Sequence, residues 1–203
     1  MSRYTGPVVK LSRRLGVQLF ANGESKQKAY TKKNYKPGEH GNKRFSKISE
    51  YGKRLLEKQK ARFKYGISEK QSRKYYDLAN KTTEITGLQY MKNLETRLDN
   101  VIFRSGLAAT RPQARQMVSH GLVKFNGKRV KVPSISVKVG DTFEIRDKNK
   151  SKLSESLKDT KTKPARWIKV DMKALKGEVA FLPENEDIEA DIDHQLITEF
   201  YSR

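Results

Sequence analysis

Residues 97–130 read RLDNVIFRSGLAATRPQARQMVSHGLVKFNGKRV, and the cap and turn residues of this stretch decide the fold. Thr110 and Gln113 have the spacing of a capping box, in which side chains satisfy the amides that lack partners at the start of a helix. Gly121 suits the end of a helix because glycine readily adopts the left-handed conformation found there. We therefore predict a short helix at 111–120, preceded by a second helix in the same stretch.

A β-hairpin is predicted directly after this short helix. Asn126-Gly127 lies between the segments 122–125 and 129–132, and this dipeptide is the strongest short-range hairpin signal. Alternating or short apolar runs predict further strands at 135–139, 142–146, 167–171 and 178–181. Residues 96–181 thus form one predicted module with short antiparallel strands, and the core of the module is 97–147.

The chain before this module has apolar residues at helical spacing. From Ser46, a basic amphipathic helix is predicted, since apolar residues recur every three or four positions between Ile48 and Phe63. Two further capping-box pairs mark helix starts, namely Ser68 with Gln71 and Thr86 with Gln89. The apolar residues from Leu88 to Ile102 then form one continuous face that ends at Ser105-Gly106.

The two ends of the chain differ from its middle. Residues 1–45 hold few large apolar side chains and cannot build a packed core alone, so we interpret them as an arm ordered on a partner. Residues 46–95 form a helical domain that 182–203 rejoins, with a last helix at 191–201. A polar stretch at 147–163 is either loop or exposed helix. The predicted fold class is α+β: a mostly helical domain, a small helix–helix–hairpin module and an extended basic N-terminal arm.

The composition favours nucleic acid as the partner. Lys and Arg number 44 against 23 acidic residues, which gives a net charge of +21 and a pI near 10.0. Such an excess costs self-repulsion unless a polyanion neutralises it. An anionic membrane is disfavoured, because no apolar run approaches the roughly 20 residues that a membrane span requires. We expect an RNA-binding protein rather than a membrane protein.

Cysteine and histidine give no sign of a metal or cofactor. The chain has no cysteine, which excludes disulfides and thiolate metal sites. The histidines, at 40, 120 and 194, are too far apart in sequence to suggest a local zinc site. We expect no cofactor and no structural metal.

One segment reverses the sign of the charge. Residues 178–203 contain eight acidic residues and a single basic residue, Arg203. Because phosphate would repel an acidic segment, we expect these carboxylates to face solvent or a basic neighbouring protein.

Cations cluster on the short helix and on the hairpin. Arg111 and Arg115 are four residues apart and project from one face, where their planar donor groups suit phosphate. The N-terminus of the helix adds amides and a positive dipole end, which suit an anion. Lysines and arginines of the hairpin extend the patch. The alternative is that all of these are solvated surface charges.

A second set of cations lies in the N-terminal half, where Lys and Arg alternate with Phe45, Tyr51, Phe63 and Tyr65. Basic and aromatic residues together suit RNA backbone and exposed bases, although for Tyr51 and Phe63 we expect a place in the core instead. The predicted RNA-binding residues are Arg3, Lys10, Arg13, Arg14, Lys43, Arg44, Lys47, Lys53, Arg54, Lys58, Arg62, Arg111, Arg115, His120, Lys124, Lys128, Arg129 and Lys131. No catalytic and no metal-binding residue is predicted.

Several stretches resemble one family, the bacterial small-subunit ribosomal protein S4 family. The sequences that carry the resemblance are MSRYTGPVVKLSRRLGV at 1–17, YKPGEHG at 35–41, SEYGKRLLEKQKARFKYGI at 49–67, RLDNVIFRSGLAATRPQARQMVSHG at 97–121, VKVGD at 137–141 and ITEFYSR at 197–203. The resemblance covers essentially the whole chain. It implies an RNA-binding module beside a mostly helical domain.

The resemblance also implies a function. It points to a primary binder of 16S ribosomal RNA at a multi-helix junction, acting early in assembly of the body of the 30S particle in the cytoplasm. It implies contact with protein S5 that influences decoding accuracy, protein S3 nearby, and a place at the messenger RNA entry channel, for which the matching positions are Lys43, Arg44 and Lys47. An obligate homo-oligomer is not expected. Many relatives hold a cysteine zinc cluster in the arm, whereas this chain has none, so RNA alone must order its arm.

Two other functions compete with this one. The same small module is attached to pseudouridine synthases and some aminoacyl-tRNA synthetases, but the flanking residues here are too few for either catalytic fold. Asp99 beside Arg97 is more simply a surface partner, or a charge in the N-terminal half of a helix, than a catalytic carboxylate. His120 is a helix-end residue before it is a general base. A free-standing RNA chaperone or translational regulator has the same composition, and the sequence does not separate it from a ribosomal protein.

Overall fold

The computed structural model describes residues 4–19, 24–33, 35–42, 48–146 and 164–202. These residues form two compact units, one built from 1–90 with 189–203 and the other from 91–188. The whole of the predicted loop or helix at 147–163 lies outside the described residues, as do the predicted RNA-binding residues Arg3, Lys43, Arg44 and Lys47.

The first unit is helical. Its helices are α1 (Val8–Leu15), α2 (Glu24–Lys32), α3 (Glu50–Lys64), α4 (Glu69–Ala79), the start of α5 (Thr86–Glu95) and the last helix of the chain, here α8 (His194–Tyr201). Helices α1 and α2 lie in the stretch interpreted as an arm, and the sequence analysis did not predict them. Leu11 and Leu15 of α1 are buried, so this part of the arm packs in the unit.

Side-chain caps fix the starts of three of these helices. Ser49 Oγ accepts a hydrogen bond from the Gly52 amide at the start of α3, and Ser68 Oγ accepts one from the Gln71 amide at the start of α4. The predicted capping at Ser68 is confirmed. The predicted cap at Thr86 is wrong by one residue, since Thr86 is already helical and the Gln89 amide bonds the Ile85 carbonyl. Asp193 caps α8 through the amides of Gln195 and Leu196.

A buried hydroxyl network joins four helices of the first unit. Tyr201 Oη of α8 lies 2.9 Å from Ser72 Oγ and 2.9 Å from Glu69 Oε1, both of α4. Ser72 Oγ in turn lies 2.8 Å from Tyr90 Oη of α5. Burial raises the pKa of Tyr90 to about 12, so its hydroxyl keeps its proton. Glu69 also pairs with Lys58 of α3, which extends the network to that helix.

The second unit contains α6 (Leu98–Arg104), α7 (Arg111–Ser119) and a five-stranded antiparallel sheet. The strands are β1 (Val123–Phe125), β2 (Lys128–Arg129), β3 (Thr142–Ile145), β4 (Ile168–Asp171) and β5 (Lys176–Val179), in the order β2-β1-β3-β5-β4. A 3-10 turn at Asn185–Asp187 follows. Asn126 and Gly127 both have positive φ, 47° and 75°, as the predicted hairpin turn requires.

The predicted continuous helical face is interrupted at Arg97. This residue is extended, with φ −69° and ψ 137°, and forms an isolated bridge with Ser136. The Leu98 amide bonds the Ile135 carbonyl and the Val137 amide bonds the Thr96 carbonyl, so the backbone here pairs across the unit. The prediction of a strand at 135–139 is also wrong. This segment forms one isolated bridge, to Arg97 between α5 and α6, and is not part of the sheet.

The core of the second unit lies between α6, α7 and one face of the sheet. Its largest members, such as Trp167, Phe143, Leu98 and Ile102, are fully buried. Gly177 of β5 lies against the Phe143 ring, and a Cβ at this position would overlap it. Strand β5 therefore needs glycine at position 177 to pack against Phe143 of β3. The alternate residues of the strands, among them Lys124 and Glu144, lie on the opposite face.

Candidate nucleic-acid interface

Helix α7 begins where the sequence predicts. Thr110 Oγ1 accepts a hydrogen bond of 3.2 Å from the Gln113 amide, and Gln113 Oε1 accepts one of 2.9 Å from the Ala109 amide. The predicted anion site at this end is wrong for two positions, because Pro112 has no amide hydrogen and the Gln113 amide is already bonded. The arginine side chains of α7 therefore carry whatever anion binding this end has.

Arg111 is held in one orientation by two neighbours. Its Nε donates a hydrogen bond of 2.8 Å to Asn100 Oδ1, and its guanidinium lies 4.5 Å from the centre of the Phe103 ring. Asn100 Nδ2 donates to Glu95 Oε2 at 2.6 Å, and Arg104 binds the same carboxylate through two hydrogen bonds. The buried Glu95 thus anchors the residue that orients Arg111.

Arg115 lies over a buried ion pair. Asp99 accepts two hydrogen bonds from Arg97, of 3.1 and 2.8 Å, and Arg115 Nη1 lies 3.6 Å from Asp99 Oδ2. The side chains of Arg97 and Asp99 are only 1% and 6% exposed. Of the two non-catalytic interpretations of Asp99, the surface partner is wrong because the pair is buried, whereas a charge in the N-terminal half of a helix is confirmed, since Asp99 lies in the first turn of α6.

Cations of the hairpin meet the other end of α7. Arg129 Nε donates to the Gly121 carbonyl at 3.2 Å and Arg129 Nη2 donates to the His120 carbonyl at 3.4 Å. Gly121 has φ 68°, and a Cβ there would lie 2.5 Å from Arg129 Nε, so this approach requires glycine. Lys124 pairs with Glu144 at 2.9 Å, while Lys128 and Lys131 are exposed. The predicted module cations thus lie at both ends of one short helix.

The predicted cations of α3 are engaged within the fold. Arg54 pairs with Glu199 at 2.7 Å, and both Lys58 and Arg62 pair with Glu69, at 2.9 and 3.2 Å. The Lys58 side chain is 8% exposed and lies 4.5 Å from the Phe200 ring. These three groups stabilise the contact of α3 with α4 and α8, whereas Lys53, paired with Glu50, is exposed.

Glu69 is the carboxylate on which these cations converge. Burial alone would raise its pKa, but hydrogen bonds from Lys58, Tyr201 and Arg62 outweigh burial and hold the pKa below its usual value. Glu69 is therefore charged at neutral pH and stabilises the packing of α3, α4 and α8.

Of the three predicted cations in α1, one bonds within the unit and two are exposed. Arg13 Nε donates to the Tyr35 carbonyl at 2.9 Å and the guanidinium lies 4.7 Å from the Tyr35 ring. Lys10 and Arg14 are exposed.

The acidic C-terminal segment pairs with cations of this same chain. Glu189 and Asp191 bind Lys64, at 2.7 and 2.6 Å, and Glu199 binds Arg54. In the other unit, Glu184, Glu186 and Asp187 surround Arg166 at 3.0, 2.8 and 2.9 Å. Asp187 and the other two carboxylates raise the pKa of Arg166. The expectation that this segment serves only solvent or a neighbouring protein is wrong for these six carboxylates.

Sequence reasoning missed Asn100 and Phe103, which hold Arg111. Neither carries a sequence signal, because their role depends on how the loop between α6 and α7 turns Arg111 back onto α6. Within the described ranges, no group of three or more potential ligands could hold a metal ion, and no helix is long and apolar enough to cross a membrane.

An α+β chain with this charge, a capped arginine helix and a tight basic hairpin has the form of an RNA-binding protein. The family profile described as "Ribosomal protein S4/S9 N-terminal domain" matches residues 3–95, and the profile described as "S4 domain" matches 96–143. Proteins named "Small ribosomal subunit protein uS4" are 45% identical over 208 residues in Desulfitobacterium hafniense, 47% over 206 in Limosilactobacillus fermentum and 47% over 212 in Aquifex aeolicus. Each match covers 100% of both chains. The chain therefore belongs to the uS4 family of small ribosomal subunit proteins, a family of structural, RNA-binding components of the ribosome.

Proposed function

We propose that this chain binds 16S ribosomal RNA directly, as a primary binder that helps nucleate assembly of the 30S body, and that it contributes to translational accuracy with neighbouring proteins. The observation that carries the proposal is the pair Arg111 and Arg115, held on one helix inside the matched S4 domain. A net charge of +21 supports it, because so large an excess needs a polyanion.

The proposed RNA contacts are fewer than those predicted from sequence. On the second unit they are Arg111, Arg115, His120, Lys124, Lys128, Arg129 and Lys131, and on the first unit they are Lys10, Arg14 and Lys53. On the first unit only the exposed cations are kept, so Arg13, Arg54, Lys58 and Arg62, which are partly or fully buried and bond within the unit, are left out. Arg3, Lys43, Arg44 and Lys47 stay predictions.

The proposed partners besides 16S RNA are proteins S5 and S3 and, at the entry channel, messenger RNA. We assign the arm to 1–45, the helical domain to 46–95 with 182–203, and the RNA-binding module to 96–181. The role of the protein is structural rather than enzymatic, which agrees with the family. Its proposed place is the small subunit of cytoplasmic ribosomes.

The test is binding of the purified chain to a 16S transcript. Arg111→Ala and Arg115→Ala should each weaken binding by about 1 to 3 kcal/mol if both make charge-assisted contacts. Arg166→Ala removes the same charge from a guanidinium that three carboxylates already surround, and should leave affinity nearly unchanged. Equal losses for all three variants would contradict the assignment.

Sucrose-gradient fractionation of cells separates this role from that of a free-standing regulator. The chain should sediment with small subunits at high salt as well as low salt, as a structural component does. Recovery only outside small subunits would exclude the ribosomal role.

A further inference from the structure

Helix α4 presents cations to solvent on the face opposite its packed side. Its inward residues Ser72, Tyr76 and Ala79 are buried against α5 and α8. Lys70 precedes Ser72 in sequence, Arg73 and Lys74 follow it, and all three cations are exposed. Positions i, i+3 and i+4 share one face of a helix, so these three cations form a compact outward patch, here termed the α4 patch.

In the neighbouring helix α3, by contrast, the cations are paired with carboxylates. All six of its basic residues, Lys53, Arg54, Lys58, Lys60, Arg62 and Lys64, have a carboxylate partner. In the α4 patch the one pair is Arg73 with Asp77, at 3.8 Å and with side chains 61% and 57% exposed. Lys70 and Lys74 have no carboxylate partner among the residues that the structure describes. The positive charge of α3 is therefore compensated within the fold and that of α4 is not.

Sequence alone assigns RNA binding to α3, because its cations are denser there. Two of the α3 cations pair with Glu50 and Glu57 of α3 itself. The other four pair with Glu69 and with carboxylates of the acidic C-terminal segment, which lies more than 100 residues away along the chain. Only the folded chain reveals which helix keeps its charge for a partner. Cations on one face that have no carboxylate partner repel one another, and this repulsion destabilises the folded state until an anion binds.

We propose that the α4 patch is a second RNA-binding surface, one that contacts phosphates of ribosomal RNA. The proposal rests on the proposed function, since it takes ribosomal RNA as the polyanion. Lysine is a compact charge on a flexible stem, which suits phosphate, and contacts to phosphate carry no sequence information directly. The patch thus adds affinity without sequence specificity, and Arg73, whose guanidinium lies 5.9 Å from the Tyr201 ring, is its most ordered member.

The salt dependence of RNA binding tests this surface directly. Binding to phosphate releases counterions, so the slope of log K against log salt becomes less negative by about 0.7 to 0.9 for every phosphate that the protein no longer neutralises. A triple variant, Lys70→Gln, Arg73→Gln and Lys74→Gln, keeps helix-forming residues of similar length. We expect its slope for a 16S transcript to be less negative by roughly 2.

A matched control removes three cations whose charge carboxylates of the fold already compensate, by Lys60→Gln, Arg62→Gln and Lys64→Gln in α3. Its slope should stay within experimental error of the unchanged chain. Far-UV circular dichroism should show the same helix content for all three proteins at the temperature of the binding assay, which establishes that each is folded.

The outcomes are distinct. If the α4 variant keeps the slope of the unchanged chain, or if both triple variants reduce the slope equally, the α4 patch is not a specific RNA surface, although 16S binding by the chain stands. Weaker association with a ribosomal protein, with RNA binding intact, would assign the patch to protein and overturn the inference. If the unchanged chain fails to bind 16S RNA, the proposed function and this inference fall together.

Discussion

Asn100 accepts a hydrogen bond of 2.8 Å from Arg111 Nε, and so joins the arginine of α7 to the buried carboxylate of Glu95. Arg111 is thus oriented before RNA arrives, which reduces the entropy that it loses on binding.

The first prediction concerns this orientation. Asn100→Ala should weaken binding to a 16S transcript when Arg111 is present and have almost no further effect in an Arg111→Ala background. A double-mutant cycle of RNA affinity measures the coupling, which should be about 0.5 to 2 kcal/mol. Fluorescence of Trp167, the single tryptophan of the chain, reports whether the second unit stays folded. Strictly additive losses would contradict a positioning role.

A second prediction follows from the buried pair of Arg97 and Asp99. Asp99→Ala leaves the Arg97 guanidinium buried without its carboxylate, and removing one partner of such a pair costs about 3 to 5 kcal/mol. Urea unfolding followed by Trp167 fluorescence measures the loss. Asp171→Ala, at an exposed position in the same unit, should cost far less. Similar losses for the two variants would place Asp99 in solvent, as the sequence suggested.

Close packing of α5 on α8 gives the third prediction. A Cβ on Gly87 would lie 2.8 Å from the His194 carbonyl oxygen and 2.9 Å from Thr198 Oγ1. Gly87→Ala should therefore destabilise the chain by about 1 to 3 kcal/mol, because α8 must move away. In a helical position with free space around it, replacing glycine with alanine would instead increase the free energy of unfolding, by at most about 1 kcal/mol. The sign of the change in thermal or urea stability decides between the two.

The fourth prediction concerns pH and Glu69. The folded chain holds the pKa of Glu69 below its ordinary value of 4.5. The contribution of Glu69 to folding stability is therefore fully present above pH 4.5 and is lost as the pH falls through the lower pKa of the folded state. Unfolding free energies of the unchanged chain and of Glu69→Gln, measured by circular dichroism from neutral pH downwards, should differ most at neutral pH. The difference should shrink below about pH 4.5. A difference that grows on acidification would contradict the assigned direction.

Local chemistry made part of this fold predictable. Caps at Ser68 and Thr110 and the Asn126-Gly127 turn act through neighbours in the chain, and all three form as the sequence indicates. The break at Arg97 was not predictable, because its bridge to Ser136 depends on a partner far along the sequence. A 3.6-residue apolar period continues across the break and conceals it.

The same distinction applies to the candidate site. Arg111 and Arg115 were predictable from their spacing on a capped helix, but their partners Asn100 and Asp99 were not. Charge density favoured α3, whereas the fold neutralises α3 with Glu69 and with carboxylates from the C-terminal segment. Which cations remain for a partner is a property of tertiary structure.

The most direct test of the whole account is a filter-binding titration of the unchanged chain with a 16S transcript at increasing salt. If the chain neutralises roughly 6 to 10 phosphates, its affinity should fall about a thousandfold or more between low and moderate salt. Affinity that stays flat across that range, or no binding even in dilute buffer, would contradict the claim that this excess of cations compensates ribosomal RNA.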